Sequence, residues 1–178
     1  MIETERLIVR AWTDADRAPF AAMSADAEVM ATLGPLLSRD ESDALIDRLM
    51  AMEDRDGHCF WAVERQADGA FLGWNGLIPG TVEPIVGELE IGWRLARAAW
   101  GAGYATEAAR AALDWGFANR PVARIVAITA AINMRSQAVM RRLGMARQAD
   151  MDFDHPKVAA DDPLCPHITH VITRPEPT

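Results

Sequence analysis

At 178 residues, 50% of them hydrophobic and 25% charged, the chain has the makeup of an ordinary globular protein long enough to bury one core. No apolar run approaches the roughly 20 residues of a membrane helix. Met1–Arg6 lacks a basic region followed by an apolar core, so the expected setting is the cytoplasm. The net charge of −8 argues against general nucleic-acid binding.

The first strand is expected over Leu7–Trp12, followed by a helix over about 14–23 capped by Thr13 or Asp14. A short helical piece follows over Ala27–Leu33, and Gly34-Pro35 breaks it. Ser38 with Glu41 has capping-box spacing, and Ala44, Leu45, Leu49 and Met52 continue that helix to about Glu53. Cys59–Glu64 and Phe71–Ile78 read as strands joined at Asp68-Gly69. Val86–Leu95 is a third strand, in which period-two alternation puts Glu88 and Glu90 on one face. Tyr104–Ala118 is a helix whose alanines 105, 108, 109 and 112 leave one side thin. Val122–Thr129 is a buried strand. Met134–Leu143 is a helix with Asn133 at its N-cap and Gly144-Met145 as a Schellman-type stop. Residues 145–153 and 168–173 complete the strands, for an α+β (mixed α/β) domain around one sheet. Cys59 and Cys165 form no ligand cluster and are expected to be buried free thiols, with no metal site.

Between the third strand and the alanine-rich helix lies Trp100-Gly101-Ala102-Gly103-Tyr104-Ala105-Thr106. A glycine-rich turn opening a helix leaves backbone N–H groups unpaired, which makes it a cradle for an anion. A P-loop is excluded because the only lysine, Lys157, is far away. A dinucleotide fingerprint is poorly matched, since a third glycine is missing and no acid closes the next strand. Arginines outnumber acids over 57–149, whereas acids outnumber basic residues on both flanks. A phosphorylated ligand on the basic segment and a cationic substrate on the acidic flanks fit that pattern. Surface acids that only confer solubility would give it as well.

The loop resembles the acyl-CoA pyrophosphate loop of the GNAT superfamily of N-acyltransferases, [Q/R]-x-x-G-x-[G/A]. The chain is most similar to the Rim-type ribosomal-protein N-acetyltransferase branch and its small-molecule relatives. The likeness runs through Glu-Thr-Glu-Arg-Leu (Glu3–Leu7), Gly-Trp-Asn-Gly-Leu (Gly73–Leu77), Glu-Ile-Gly-Trp (Glu90–Trp93), Trp-Gly-x-Gly-Tyr-Ala-Thr-Glu-Ala (Trp100–Ala108), Asn-x-x-Ser (Asn133–Ser136) and Leu-Gly-Met (Leu143–Met145). Trp100 stands where the general pattern has Gln or Arg, so phosphate contact would rest on backbone N–H groups.

The resemblance implies a GNAT-like fold: a mostly antiparallel sheet of about 6–7 strands with one splayed parallel pair, flanked by about 4–5 helices. It implies one N-acetyltransferase domain over 1–174, with a frayed tail over 175–178. Acetyl-CoA is the implied cosubstrate, with Trp100, Gly101, Ala102, Gly103, Tyr104, Ala105 and Thr106 around its pyrophosphate. Trp93, Arg94 and Leu95 would pair with the pantetheine arm. Asn133 would bond that arm or serve only as a helix cap. Arg142 is a candidate for the CoA phosphates, beside Arg97, Arg135 and Arg141, each of which could equally be a solvated arginine. A backbone N–H near Trp93 would be the oxyanion donor. Many members use a tyrosine as the acid; Tyr104 is the only tyrosine here and lies inside the loop, so Ser136 is the substitute, unless it merely bonds its own helix turn. Glu90 is the first candidate base, Glu88 the second and His155 the third. The acceptor would be a primary amine, a peptide N-terminus or a small cationic amine. A non-catalytic acyl-CoA-binding module and a transferase using another acyl group are the alternatives. A homodimer is compatible, though no interface is legible.

Overall fold

The computed structural model describes residues 1–175; of the expected frayed tail only Pro175 falls within them. In chain order the elements are β1 (Ile2–Glu3), β2 (Leu7–Arg10), α1 (Arg17–Ser24), α2 (Ala27–Met30), α3 (Arg39–Asp56), β3 (Phe60–Arg65), β4 (Ala70–Pro79), β5 (Leu89–Leu95), α4 (Tyr104–Asn119), β6 (Arg124–Ala130), α5 (Met134–Arg142), β7 (Ala146–Arg147), β8 (Phe153–Asp154) and β9 (Pro166–Thr173). They form a 9-stranded sheet in the order β1-β2-β3-β4-β5-β6-β9-β7, with β8 also paired to β9. Every pairing is antiparallel except β5–β6.

The sheet has more strands than expected because β1, β7 and β8 hold two residues each, too few to show a period. The strand expected over 145–153 is broken. Asp152 Oδ1 accepts from the Thr169 N–H at 2.9 Å and its Oδ2 from Arg147 Nη2 at 2.5 Å, so a side chain takes ladder positions and the backbone turns out of the sheet. The strand expected from Val86 starts only at Leu89, because Ile85 and Glu88 donate to Val82 O and Ile85 O in successive turns.

Local chemistry accounts for most boundaries. Ser38 and Glu41 close a full capping box, and α3 ends at Gly57 in the left-handed region (φ 72°). Met145 N–H reaches Met140 O and Gly144 N–H reaches Arg141 O, the paired bonds of a Schellman stop. On α4, Ala108, Ala109 and Ala112 are fully buried, so the helix lies close on the sheet. It joins the Leu7, Val9, Phe20 and Trp61 cluster to the Leu77, Ile91, Ile125 and Met140 cluster. Cys59 and Cys165 are free and buried; burial, and then Glu53, pushes the Cys59 thiol well above its ordinary range. No helix among the described residues is long and apolar enough to cross a membrane.

Candidate active site: a wedge between two parallel strands

The β5–β6 pair holds only one register contact, Glu90 opposite Val126. Past it the strands part. What the opening exposes follows from the bonds on β5's other edge. Ala96 donates to Leu72 O and Gly80 to Glu88 O, so the hydrogen-bonded positions toward β4 are the even-numbered residues of β5. Antiparallel alternation then turns the backbone groups of Ile91, Trp93 and Leu95 toward β6, and beyond Glu90 into the wedge.

A cleft of about 860 Å³ fills this opening and continues over the start of α4. Trp93, Arg94 and Leu95 line it, as do all residues from Trp100 to Thr106. Gly101 and Gly103 have φ of 78° and 83°, a conformation that side chains with a Cβ resist. This positive φ is the local reason for the two glycines. A Cβ on Gly101 would meet nothing within 4 Å, and one on Gly103 only Arg6 Nη2 at 3.5 Å. The turn is therefore an open cradle at the N-terminus of a 16-residue helix, suited to a pyrophosphate. Trp100 is no phosphate donor in this geometry. Its Nε1–H is spent on Leu95 O at 2.9 Å, and the Arg135 guanidinium lies 4.1 Å over its ring.

Across the wedge, Asn133 Oδ1 accepts from the Ser136 N–H at 3.1 Å and Asn133 Nδ2 donates to Ser136 Oγ at 3.2 Å. The helix-cap role of Asn133 is thus present. Because Ser136 Oγ accepts from Asn133, its own proton is directed elsewhere, and both residues line the cleft. Arg142 lines it too, and its carbonyl is held by Arg110 Nη2 at 2.9 Å.

Glu90 does not line the open cleft; it sits one step deeper, at the apex. It shares a strand face with Gly92 and Arg94. A Cβ on Gly92 would meet the Phe60 and Trp74 rings, whereas Ile91 packs with the alanines of α4, so this face looks away from α4. Glu90 is half-buried, and burial alone pushes its carboxyl up to about 7. Glu88 precedes β5 and is tied to Arg124 Nη2 at 2.5 Å. His155 lies in the β8–β9 loop, its ring 4.7 Å from that of His167, and is outside the residues lining the cleft. Burial, then His167 and Lys157, lowers its pKa. Of the remaining phosphate candidates, Arg97 pairs with Glu28 at 2.9 Å, and Arg141 is not among the lining residues.

The N-terminal motif has a structural task that spacing alone did not suggest. Thr4 Oγ1 donates to Glu107 Oε1 at 2.6 Å, Arg6 Nε donates to Glu107 Oε2 at 2.7 Å, and Arg6 Nη1 donates to the carbonyl of Ala102 at 3.0 Å. Two residues of the β1–β2 turn therefore clamp both the first turn of α4 and the glycine turn. Thr4, Arg6 and Glu107 all fall inside quoted motifs, which was the available signal. Arg6→Ala is expected to weaken CoA binding by about 3- to 10-fold, on the order of 1 kcal/mol of lost ordering. Calorimetry with CoA checks this; unchanged affinity would leave the clamp a purely structural feature.

A helix N-terminus thus faces strand backbone across a splayed parallel pair, an arrangement that can take an extended ligand with an anionic end. Residues 6–146 match the family model described as acetyltransferase (GNAT) domain. The chain belongs to the GNAT acetyltransferase family. It is 34% identical over 143 residues to the Bacillus subtilis protein YkkB, covering 80% of this chain and 83% of that one. The acetyltransferase from Agrobacterium tumefaciens superposes with a TM-score of 0.79 at 25% identity, covering 97% of this chain and 94% of that one. RimL, a ribosomal L7/L12 alpha-N-protein acetyltransferase solved with coenzyme A, shares the fold with a TM-score of 0.76 at 16% identity, covering 96% of this chain and 95% of that one. The Vibrio cholerae spermidine N-acetyltransferase, solved with CoA and spermine, shares it with a TM-score of 0.73 at 17% identity, covering 96% of each chain.

Proposed function

We propose that this enzyme moves an acetyl group from acetyl-CoA directly to a primary amine. The observation that carries the reading is the β5 edge at Trp93 and Leu95, which turns toward the wedge beyond the last β6 pairing and ends beside an open glycine cradle. The N–H groups of Gly101 to Thr106 hold the pyrophosphate with the α4 dipole behind them. The backbone of Trp93 and Leu95 pairs with the pantetheine arm as an added strand, and Asn133 and Arg142 flank it. Acetyl-CoA supplies an activated thioester.

The Trp93 N–H, turned into the wedge, donates to the oxygen on which charge develops. Glu90 takes the proton of the attacking amine, directly or through water; a carboxyl near 7 is matched to that task at neutral pH. Ser136 gives a proton to the leaving thiolate. Its hydroxyl fills the role that a tyrosine has in many relatives, since Tyr104 is the first residue of α4. Relatives of this fold named for protein N-termini and for spermidine both use amine acceptors.

Free thiol release is expected when acetyl-CoA is offered with amines, and slower release with succinyl-CoA. A tight CoA complex with no turnover on any amine would favour a non-catalytic acyl-CoA-binding module. Faster release from succinyl-CoA would change the acyl group.

A further inference from the structure

The acidic flank suggested a cationic partner, but several of its charges are paired within the fold. Asp14 before α1, and Asp43 and Asp47 in α3, pair with Arg17 of α1, and Asp43 also pairs with Arg39. Among the described residues two carboxylates line the cleft, Glu28 and Glu107, and each is already matched: Glu28 to Arg97 and Glu107 to Arg6. The unmatched charge in the cleft is therefore positive.

One of those positive groups is Arg94, whose backbone bonds face β4 and not the wedge, so that the pantetheine pairing expected of it falls to Trp93 and Leu95. Arg94 projects from the strand face that looks away from α4, the face it shares with Glu90. Its neighbour across the β4–β5 ladder is Trp74, and its guanidinium lies 5.4 Å from the centre of that ring. Trp74 is stacked in turn on Phe60, ring centres 4.3 Å apart, so the guanidinium lies within cation–π range of a paired aromatic wall. Its Nε and Nη1 are buried with no hydrogen-bond partner, and so is Trp74 Nε1 beside them. Three buried donors with no acceptor among the described residues are costly to leave unpaired. Burial lowers the Arg94 pKa to about 10, and the group keeps its charge at neutral pH. Val29, Thr32 and Leu33, from α2 and the segment after it, line the same cleft as Arg94.

We propose that Arg94, with Trp74 Nε1–H beside it, receives a carboxylate of the acceptor, so that the acceptor is an amino acid or an amino-acid-like amine rather than a polyamine. The proposal rests on the amine-transfer reading above and names the substrate class of that site. A planar carboxylate meets an arginine fork with two parallel bonds, and here either edge of the fork offers one buried donor. The amine of the same molecule then points along the strand face toward Glu90 and the apex of the wedge. A polyamine would meet Arg94 as a like charge and would leave all three donors unpaired. Arg94 is thus a specificity-determining residue, distinct from the groups assigned to proton transfer.

The test pairs α- and ω-amino acids with their own carboxamides, which keep the amine and remove the carboxylate charge, and adds spermidine and a blocked-C-terminus peptide. Thiol release at saturating acetyl-CoA and calorimetric binding to the CoA-loaded protein are both read. Free acids are expected to exceed their amides by about 10- to 100-fold in kcat/KM, the ~1.5–3 kcal/mol of a charge-assisted bond, mostly through KM. Arg94→Leu should abolish that preference with CoA affinity unchanged, and Arg94→Lys should keep part of it. Binding of acids over amides without turnover would support carboxylate recognition and overturn the transfer reading. Turnover of amides, spermidine or peptide as fast as free acids would overturn the Arg94 proposal and leave the transfer reading standing. Neither binding nor turnover of free acids would also overturn it. Should Arg94→Leu fail to fold, the wild-type comparison of acids with amides decides alone.

Discussion

Gly101→Glu is expected to raise the dissociation constant for CoA by at least about 100-fold, or ~3 kcal/mol, the largest single effect at this site. Two costs combine. Gly101 sits at φ 78°, where an L-residue pays roughly 1–2 kcal/mol. The new carboxylate also enters a cradle whose N–H groups and helix dipole favour an anionic ligand, so it competes with the pyrophosphate or repels it. The substitution has room, because nothing lies within 4 Å of a Cβ placed there. Gly101→Ala isolates the backbone cost and should weaken CoA by only about 10-fold, on that same ~1–2 kcal/mol. Calorimetric titration with CoA, together with a melting curve for each variant, separates the two costs. Native-like CoA affinity in Gly101→Glu would remove the pyrophosphate from this turn.

Glu90→Gln is expected to lower kcat/KM at pH 8 by about 10²- to 10⁴-fold, the range for losing a positioned base. Wild-type activity should rise with pH up to about 7, where the Glu90 carboxyl ionises, and the variant should lose that limb. The acceptor's own ionisation also shapes such profiles, so stability offers a separate reading. Burial raises the folded-state pKa of Glu90 from its ordinary value of 4.5 to about 7. The sign follows: below about 4.5 the carboxyl is neutral in both states and costs nothing. As pH rises toward 7 the unfolded chain ionises first and folding loses stability; above 7 the full cost is reached. At ~1.4 kcal/mol per pKa unit, the cost is a few kcal/mol at most for a half-buried group. Glu90→Gln should therefore melt higher than wild type at pH 8 and match it at pH 4. Equal melting at both values, with an unchanged rate, would return the base to another group.

The two halves of the wedge differ in how far the sequence disclosed them. The glycine turn was legible because its chemistry is local: two glycines, a helix start and no lysine limit what a cradle of backbone N–H groups can bind. The Asn133–Ser136 cap and the Gly144 stop were legible for the same reason, since capping bonds span three to five residues. Glu88 and Glu90 looked equivalent by alternation. They are separated by a turn at Ile85–Glu88 and by Arg124, which comes from the next strand, and no local pattern carries either fact.

The charge of the cleft was the least legible feature. Counting acids along 1–56 says nothing of where they point, and in the folded chain Asp14, Asp43 and Asp47 pair with arginines at α1 and α3. The N-terminal clamp is a similar case: Thr4 and Arg6 reach Glu107 across about a hundred positions of chain, a distance only the tertiary fold closes.

By itself, then, the sequence determined the elements with a period or a cap, the family through motifs in order, and the phosphate cradle, because each is written within a few neighbouring residues. Only the tertiary structure decided which carboxylate stands unpaired at the apex, which arginine is left with open donors, and which edge of β5 is free. Those properties depend on what neighbouring strands and helices supply or withhold, and a partner brought from elsewhere in the chain leaves no mark beside the residue it serves.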